Sequence, residues 1–236
     1  MLKLDLSWFS LPRNSNEESN FDAFGYISIP PDGYLLAIAD GVGSARFGKE
    51  AAKLAITICS KLGNPVSISE LFSEVGLAIK GVAKDVPDQW STTLSVCWIN
   101  GAEARVGHVG DTRIYHLRDN GLKTLTRDQT EVAKLLQEGV LTKERAARYP
   151  RRNILLSSMN GKCNFDLYQT RFEIRNKDRI LLLSDGVYKR VTKREILTLS
   201  QQHSNSDTFL ASIKNLIIEK GITDDSTALC AEILSI

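Results

Sequence analysis

Two short apolar runs, YLLAIAD at 34–40 and RILLLSD at 179–185, each end in an aspartate followed by glycine. Each reads as a buried strand that closes on a turn. Two more strand-like runs carry acids at their ends. Asp111 sits in the turn between ARVGHVG and TRIYHL, and Asp224-Asp225 immediately precedes STALCAEILSI. Four strand ends therefore carry a carboxylate, and a fold must bring strands and acids into register.

The rest of the chain alternates strand and helix signals. Residues 46–61 place Ala52, Ala55, Ile56 and Cys59 at helical spacing. Residues 68–84 repeat that pattern, with Ser67 or Ser69 as the cap. STTLSVCWI, ARVGHVG and TRIYHL are three strand-like runs broken at Asn100-Gly101 and Gly110-Asp111, and Asn-Gly between such runs signals a hairpin. Helix is expected at 130–138, ending at Gly139, and again at 193–201 and 206–219. LYQTRFEI, RILLLSD and STALCAEILSI read as further strands, whereas 140–165 is the least regular stretch. Antiparallel hairpins mixed with paired helices imply an α+β fold, not a doubly wound parallel sheet. With no repeat, low-complexity tract or linker, one domain over 1–236 is the simplest organisation.

Composition excludes several classes. The 236 residues carry 30 Lys and Arg against 28 Asp and Glu, a net charge of +2, without the basic excess expected of a nucleic-acid or anionic-membrane binder. No apolar run approaches the roughly 18 residues of a membrane span, and the first twenty residues lack signal-peptide features. Cys59, Cys97, Cys163 and Cys230 are widely spaced in apolar or mixed stretches, so buried reduced thiols in a cytoplasmic protein are expected.

Any one Asp-Gly is ordinary turn chemistry, as expected of Asp32-Gly33. Several carboxylates at one rim of a sheet are different. Hard oxygen ligands without Cys or His suit Mg²⁺ or Mn²⁺. One carboxylate can bridge a pair of ions that activates water and neutralises a phosphate, and glycine beside it keeps a Cβ out of the way. Arg13 offers a fork of donors that matches phosphate oxygens. On spacing alone, however, it reads as a solvated arginine ahead of two surface glutamates.

Taken in order, AIADGVGSARFGKEAAKLA, STTLSVCWINGAEARVGHVGDTRIYHLRDNGLKTLTRDQT, RILLLSDGVYKRVTKREI and TDDSTALCAEI resemble the metal-dependent serine/threonine phosphatases of the 2C type, nearest to the bacterial branch. The resemblance runs from about Arg13 to the last strand. It implies a four-layer sandwich: two central antiparallel β-sheets flanked by pairs of α-helices, with a metal site at one edge. Carried over by position, Asp40 matches the carboxylate that bridges two Mn²⁺ or Mg²⁺ ions, and Gly41 supplies its carbonyl. Asp185 and Asp224 match the remaining direct ligands. Glu17 matches an acid that holds metal-bound water, and Arg13 the arginine that grips the substrate phosphate. Asp111 matches the acid associated with a third, weaker ion. Residues 129–165 match the variable flap. The implied activity is hydrolysis of phosphoserine or phosphothreonine by a metal-activated water. The implied partners are a phosphorylated protein and, as a further candidate, a serine/threonine kinase, with the enzyme itself a monomer.

The chain departs from the family pattern at several places. Glu18 stands where Asp is usual, and Ser44 replaces a frequent glycine. Val42 holds the place of a histidine proposed as general acid in many eukaryotic members. Gln129 replaces a frequent histidine at a spot expected to lie far from the ligands. Asp225 replaces the usual Asn and adds negative charge near the site. Glu18, Ser44 and Asp225 motivate a rival reading, a weakly active or inactive phosphatase-like module that binds a kinase or phosphoprotein. A metal-dependent hydrolase of small phosphate esters is a third. KERAARYPRR (143–152) reads first as a solvated surface stretch and second as a dock for an acidic phosphopeptide. His108 reads as a hydrogen-bonded structural histidine, and Trp90 and Trp98 as packing residues.

Overall fold

A computed structural model describes residues 1–14, 19–62 and 67–236. Glu17 and Glu18 lie outside the described residues. The N-terminal half builds β1 (Lys3–Leu11), β2 (Asp22–Ile29), β3 (Gly33–Asp40), α1 (Gly48–Leu62) and α2 (Ile68–Ala83). Ser67, not Ser69, caps α2, its hydroxyl accepting from Glu70 N. The strands β4 (Ser91–Thr92), β5 (Leu94–Asn100), β6 (Glu103–Val109), β7 (Arg113–Arg118) and β8 (Gly121–Thr124) follow. Then come α3 (Glu131–Gln137), α4 (Lys143–Ala146), β9 (Met159–Asn160), β10 (Tyr168–Glu173) and β11 (Arg179–Leu183). The chain closes with α5 (Asp185–Tyr188), α6 (Lys193–Gln202), α7 (Ser206–Lys220) and β12 (Ser226–Ser235).

Two five-stranded sheets form, in the orders β1-β12-β11-β7-β8 and β10-β6-β5-β3-β2, with β4 and β9 paired separately. Every pairing is antiparallel. Side chains alternate across a strand, which explains why the central runs are apolar throughout. In β3, Leu36 and Ile38 point between the sheets, where they meet Ile180 and Leu182 of β11 and Leu229 of β12. Leu35, Ala37 and Ala39 point the other way, into the layer with Ala55 of α1 and Phe72 of α2. Leu181 and Leu183 of β11 likewise face Phe209, Ile213 and Ile217 of α7. The result is four layers, α1 and α2 on one sheet, the second sheet against it, and α6 and α7 outside, in agreement with the expected architecture.

Several elements carried no recognised signal. β1 does alternate, with Leu4 and Leu6, after Leu2 just before the strand, in the inter-sheet core and Phe9 and Leu11 facing the outer helices. Both faces are covered, so it reads as mixed rather than amphipathic. The hairpin after β5 pairs Asn100 with Glu103, so its turn is Gly101-Ala102, and the positive φ of 55° falls on Gly101. Cys59, Cys97 and Cys230 are buried, whereas Cys163 is only half-buried, a correction to the expectation for all four. Burial pushes the Cys59 and Cys97 thiols up to about 12, which suits packing rather than nucleophilic chemistry. Trp98 packs in the core beside α1 and α2, and Trp90 stacks on Phe47 at 5.0 Å. No helix among the described residues is long and apolar enough to cross a membrane.

Candidate active site

β3, β11 and β12 converge at one edge of the sandwich. Asp40 is the last residue of β3, Asp185 lies two residues past the end of β11, and Asp224 two residues before the start of β12. The same edge of β3 does not hold Asp32, which lies at the strand's opposite end and accepts Leu2 N through its carboxylate at 3.3 Å.

Backbone and hydroxyl contacts fix the end of β3 against the chain at Thr92 and Thr93. Asp40 O accepts Thr93 N at 2.8 Å and Thr92 Oγ1 at 2.9 Å, and Asp40 N donates to Thr93 Oγ1 at 2.8 Å. A Cβ on Gly41 would stand 2.5 Å from the backbone of Gly48, so glycine lets the loop after β3 fold against the start of α1. At Gly186 the contact is closer. A Cβ there would lie 2.1 Å from Asp225 O, and glycine is what lets the turn after β11 lie against the entry to β12. That approach brings Asp185 and Asp224 to one place.

Arg13, Asp40, Gly41, Asp111, Asp185 and Asp224 all line one cavity of about 530 Å³, with Val42, Asn153 and Asp225 also on its wall. The carboxylates act on one another. Asp40 is raised well above the usual carboxylate range, first by burial and then by Asp22, Asp185, Asp111 and Asp224. Burial, with help from Asp185 and Asp128, pushes Asp111 up to about 7. Burial and Asp185 also raise Asp224. Lys189 Nζ donates to Asp185 Oδ2 at 2.5 Å and to Asn153 Oδ1 at 3.3 Å. A cluster of acids this close, with Asp111 buried and Asp40 and Asp185 half-buried, is costly unless a cation shares it.

Three site-building residues differ from expectation or were not anticipated. Asp225 does more than add charge, because its Oδ1 accepts Arg13 N at 2.7 Å and its Oδ2 accepts Phe21 N at 2.8 Å. It therefore anchors the chain on both sides of the segment that carries Glu17. Gln129 is not remote. Its Oε1 accepts Gly110 N at 2.8 Å, beside Asp111, and its Nε2 donates to Asp166 O at 2.7 Å. Asp22, unnoticed in the sequence, is buried opposite Asp40 in the sheet and accepts Ser184 Oγ at 2.7 Å, while its Oδ1 has no partner. An Asp preceded by Phe and followed by Ala-Phe in a strand offers no local signal of this.

Second contacts set the Asp111 loop and the turn at Asp185. His108 Nε2 donates to Arg127 O at 3.0 Å, and its Nδ1 meets Ser95 Oγ at 2.7 Å. Ser95 Oγ also meets Thr112 Oγ1 at 2.7 Å, next to Asp111. Burial lowers His108 to about 4 and keeps it neutral, a structural role. Arg113 grips Asp128 with both Nε and Nη2, and its guanidinium lies 3.6 Å from the centre of the Tyr188 ring, which steadies α5. In the basic stretch, Arg151 and Tyr149 both bind the Glu131 carboxylate, so Arg151 is not a free surface cation.

Among the described residues no three Asp, Glu, His or Cys side chains form a group that could by itself hold one ion. The chemistry of the site still fits dications. Its donors are hard carboxylate oxygens, its acids repel one another, and Mg²⁺-like ions are typically held by one or two carboxylates plus water and phosphate rather than by a protein cage.

A profile described as Protein phosphatase 2C matches residues 13–216. The chain belongs to the protein phosphatase 2C family. It is 31% identical to the serine/threonine protein phosphatase PstP of Mycobacterium tuberculosis over 209 residues, which is 85% of this chain and 40% of that protein. The chain thus spans two fifths of the length of that relative. It is 27% identical to the serine/threonine phosphatase stp of Listeria monocytogenes, covering 91% of this chain and 92% of that one. Among solved phosphatase 2C structures, the catalytic domain of PstP in complex with two manganese ions superposes with a TM-score of 0.83 at 27% identity, over 100% of each chain.

Proposed function

We propose that this phosphatase 2C domain hydrolyses phosphoserine and phosphothreonine in proteins at a centre of two Mn²⁺ or Mg²⁺ ions. The observation that carries the reading is the convergence of Asp40, Asp185 and Asp224, from three strand ends, with Arg13 on one cavity. The related PstP domain with two manganese ions supports the ion count.

In this reading Asp40, shared between the ions, the Gly41 carbonyl, Asp185 and Asp224 would hold the pair. Glu17 would hold a water of the centre. When bound, such a pair of dications supplies a water acidic enough to be a nucleophile near neutral pH and offsets the charge of the phosphate. Arg13 binds phosphate oxygens and orients phosphorus for in-line attack. Asp225 fixes Arg13 by its backbone, so the guanidinium starts from a defined place. Val42 cannot transfer a proton, so protonation of the leaving oxygen falls to water. Residues 129–165 form the flap beside the cavity, to which Asn153 and Leu155 contribute wall.

The test is turnover of a phosphothreonine peptide with and without Mn²⁺. Asp40→Asn and Asp185→Asn are expected to lower kcat by at least 100-fold. Unimpaired turnover by either variant overturns the assignment.

A further inference from the structure

Asp111 was expected to mark a third ion. Asp185, on the same cavity wall, already carries a cation. Lys189 caps the end of α5, four residues after Asp185, and its backbone N–H donates to Asp185 O at 3.0 Å. That one-turn spacing folds the side chain back over the carboxylate, and Nζ reaches Asp185 Oδ2. Asn153 Oδ1, on the flap side of the cavity, receives the same ammonium. The amine is thus held from two elements rather than waving in solvent.

Asp111, Asp185 and Asp224 line one cavity, so the ammonium held on Asp185 offsets charge within a shared cluster of acids. An ion shared by Asp111 and Asp185, which line the same cavity, would need a carboxylate of which Lys189 already engages Oδ2. It would meet both a lost oxygen ligand and a like charge.

We propose that the Lys189 ammonium takes the place of a third metal ion at Asp111 and Asp185, so that this centre is limited to two ions. The inference rests on the binuclear reading above. The lysine also ties the centre to the flap through Asn153, which a mobile third ion would not do. An ordinary surface lysine at this helix position would predict none of this, because its removal would leave ion uptake unchanged.

The test counts bound Mn²⁺ by equilibrium dialysis and by the loss of free Mn²⁺ signal in electron paramagnetic resonance, using the full chain without substrate. The wild type is expected to saturate at two ions per chain up to millimolar Mn²⁺. Lys189→Ala is expected to take up a third, weaker ion, and the double variant with Asp111→Asn returns to two. Lys189→Arg, which keeps the charge, stays at two. Hydrogen exchange of the flap around Asn153 is expected to rise at least several-fold in Lys189→Ala without added metal. Three ions on the wild type, or two on Lys189→Ala with its fold verified by circular dichroism, overturn this proposal alone. Fewer than two ions on the wild type overturn the binuclear reading and this proposal with it.

Discussion

Asp22 stands directly opposite Asp40 in the β2–β3 ladder, so a buried and a half-buried carboxylate share one face of the sheet at the edge of the cavity. Like charges directly opposite one another are destabilising. Asp22 absorbs part of the conflict. Burial, opposed by Ser184 and Thr227 and reinforced by Asp185 and Asp225, pushes it up to about 7. The pair is therefore a place where folding is traded against the charge that the site requires.

Asp22→Asn is expected to stabilise the metal-free protein at pH 8 and to leave it unchanged near pH 3.5. A raised carboxyl pKa means the native state keeps a proton that the unfolded chain releases. That contribution is full below the unfolded pKa of 3.8 and is lost as pH rises through about 7. The linkage is on the order of 4 kcal/mol. Thermal melts in chelator across pH 3.5–8 measure it. Equal wild-type and variant slopes would show that Asp22 is ionised throughout.

His108 has the opposite sign. Its folded pKa of about 4 lies below the unfolded value of 6.5, so stability present above pH 6.5 is lost as pH falls towards 4. The loss is about 3 kcal/mol. Urea unfolding of His108→Gln is expected to lack this acid slope. The two slopes oppose one another between pH 4 and 6.5, so each is read as the difference between wild type and its variant.

Gly186→Ala is expected to cost about 3 kcal/mol or more, because the added carbon would have to displace Asp225 O. The strand ends would part and carry Asp185 away from Asp224. Mn²⁺ uptake should fall together with the melting temperature. A variant that binds two ions with wild-type affinity would show that the close approach does not assemble the site.

Asp225→Ala removes the acceptor of Arg13 N and Phe21 N together, at a cost of about 2 kcal/mol. With Arg13 released, KM for a phosphopeptide is expected to rise several-fold while ion uptake persists. Asp225→Asn keeps one acceptor oxygen and should fall between. Steady-state kinetics of the three proteins decides it.

Gln129→Ala cuts the link between Gly110 and Asp166, at a cost of about 1–2 kcal/mol. The Asp111 loop and the flap should then exchange amide hydrogens faster. Unchanged exchange at residues 109–112 would show that another contact holds the loop.

Local chemistry made much of this protein legible from its sequence. Apolar runs on β3, β11 and β12 needed cover on both faces, and period and punctuation marked the hairpins from β5 to β7. Acids at strand ends next to glycine pointed to a cation site, and ordered motifs pointed to the family. Tertiary structure decided what depends on atoms far apart in the chain. Asp22 acquires its meaning only when β2 pairs with β3 in one register, and Asp225 only when the chain around Arg13 and Phe21 returns to β12. Gln129 becomes a tether only once Gly110 and Asp166 flank it. Lys189 looks like any helix-end lysine until the sheets bring Asp111 and Asp224 around Asp185. The reason is physical. Burial and hydrophobic period are properties of neighbours along the chain, whereas charge compensation and hydrogen-bond partners are set by which strand ends share a cavity.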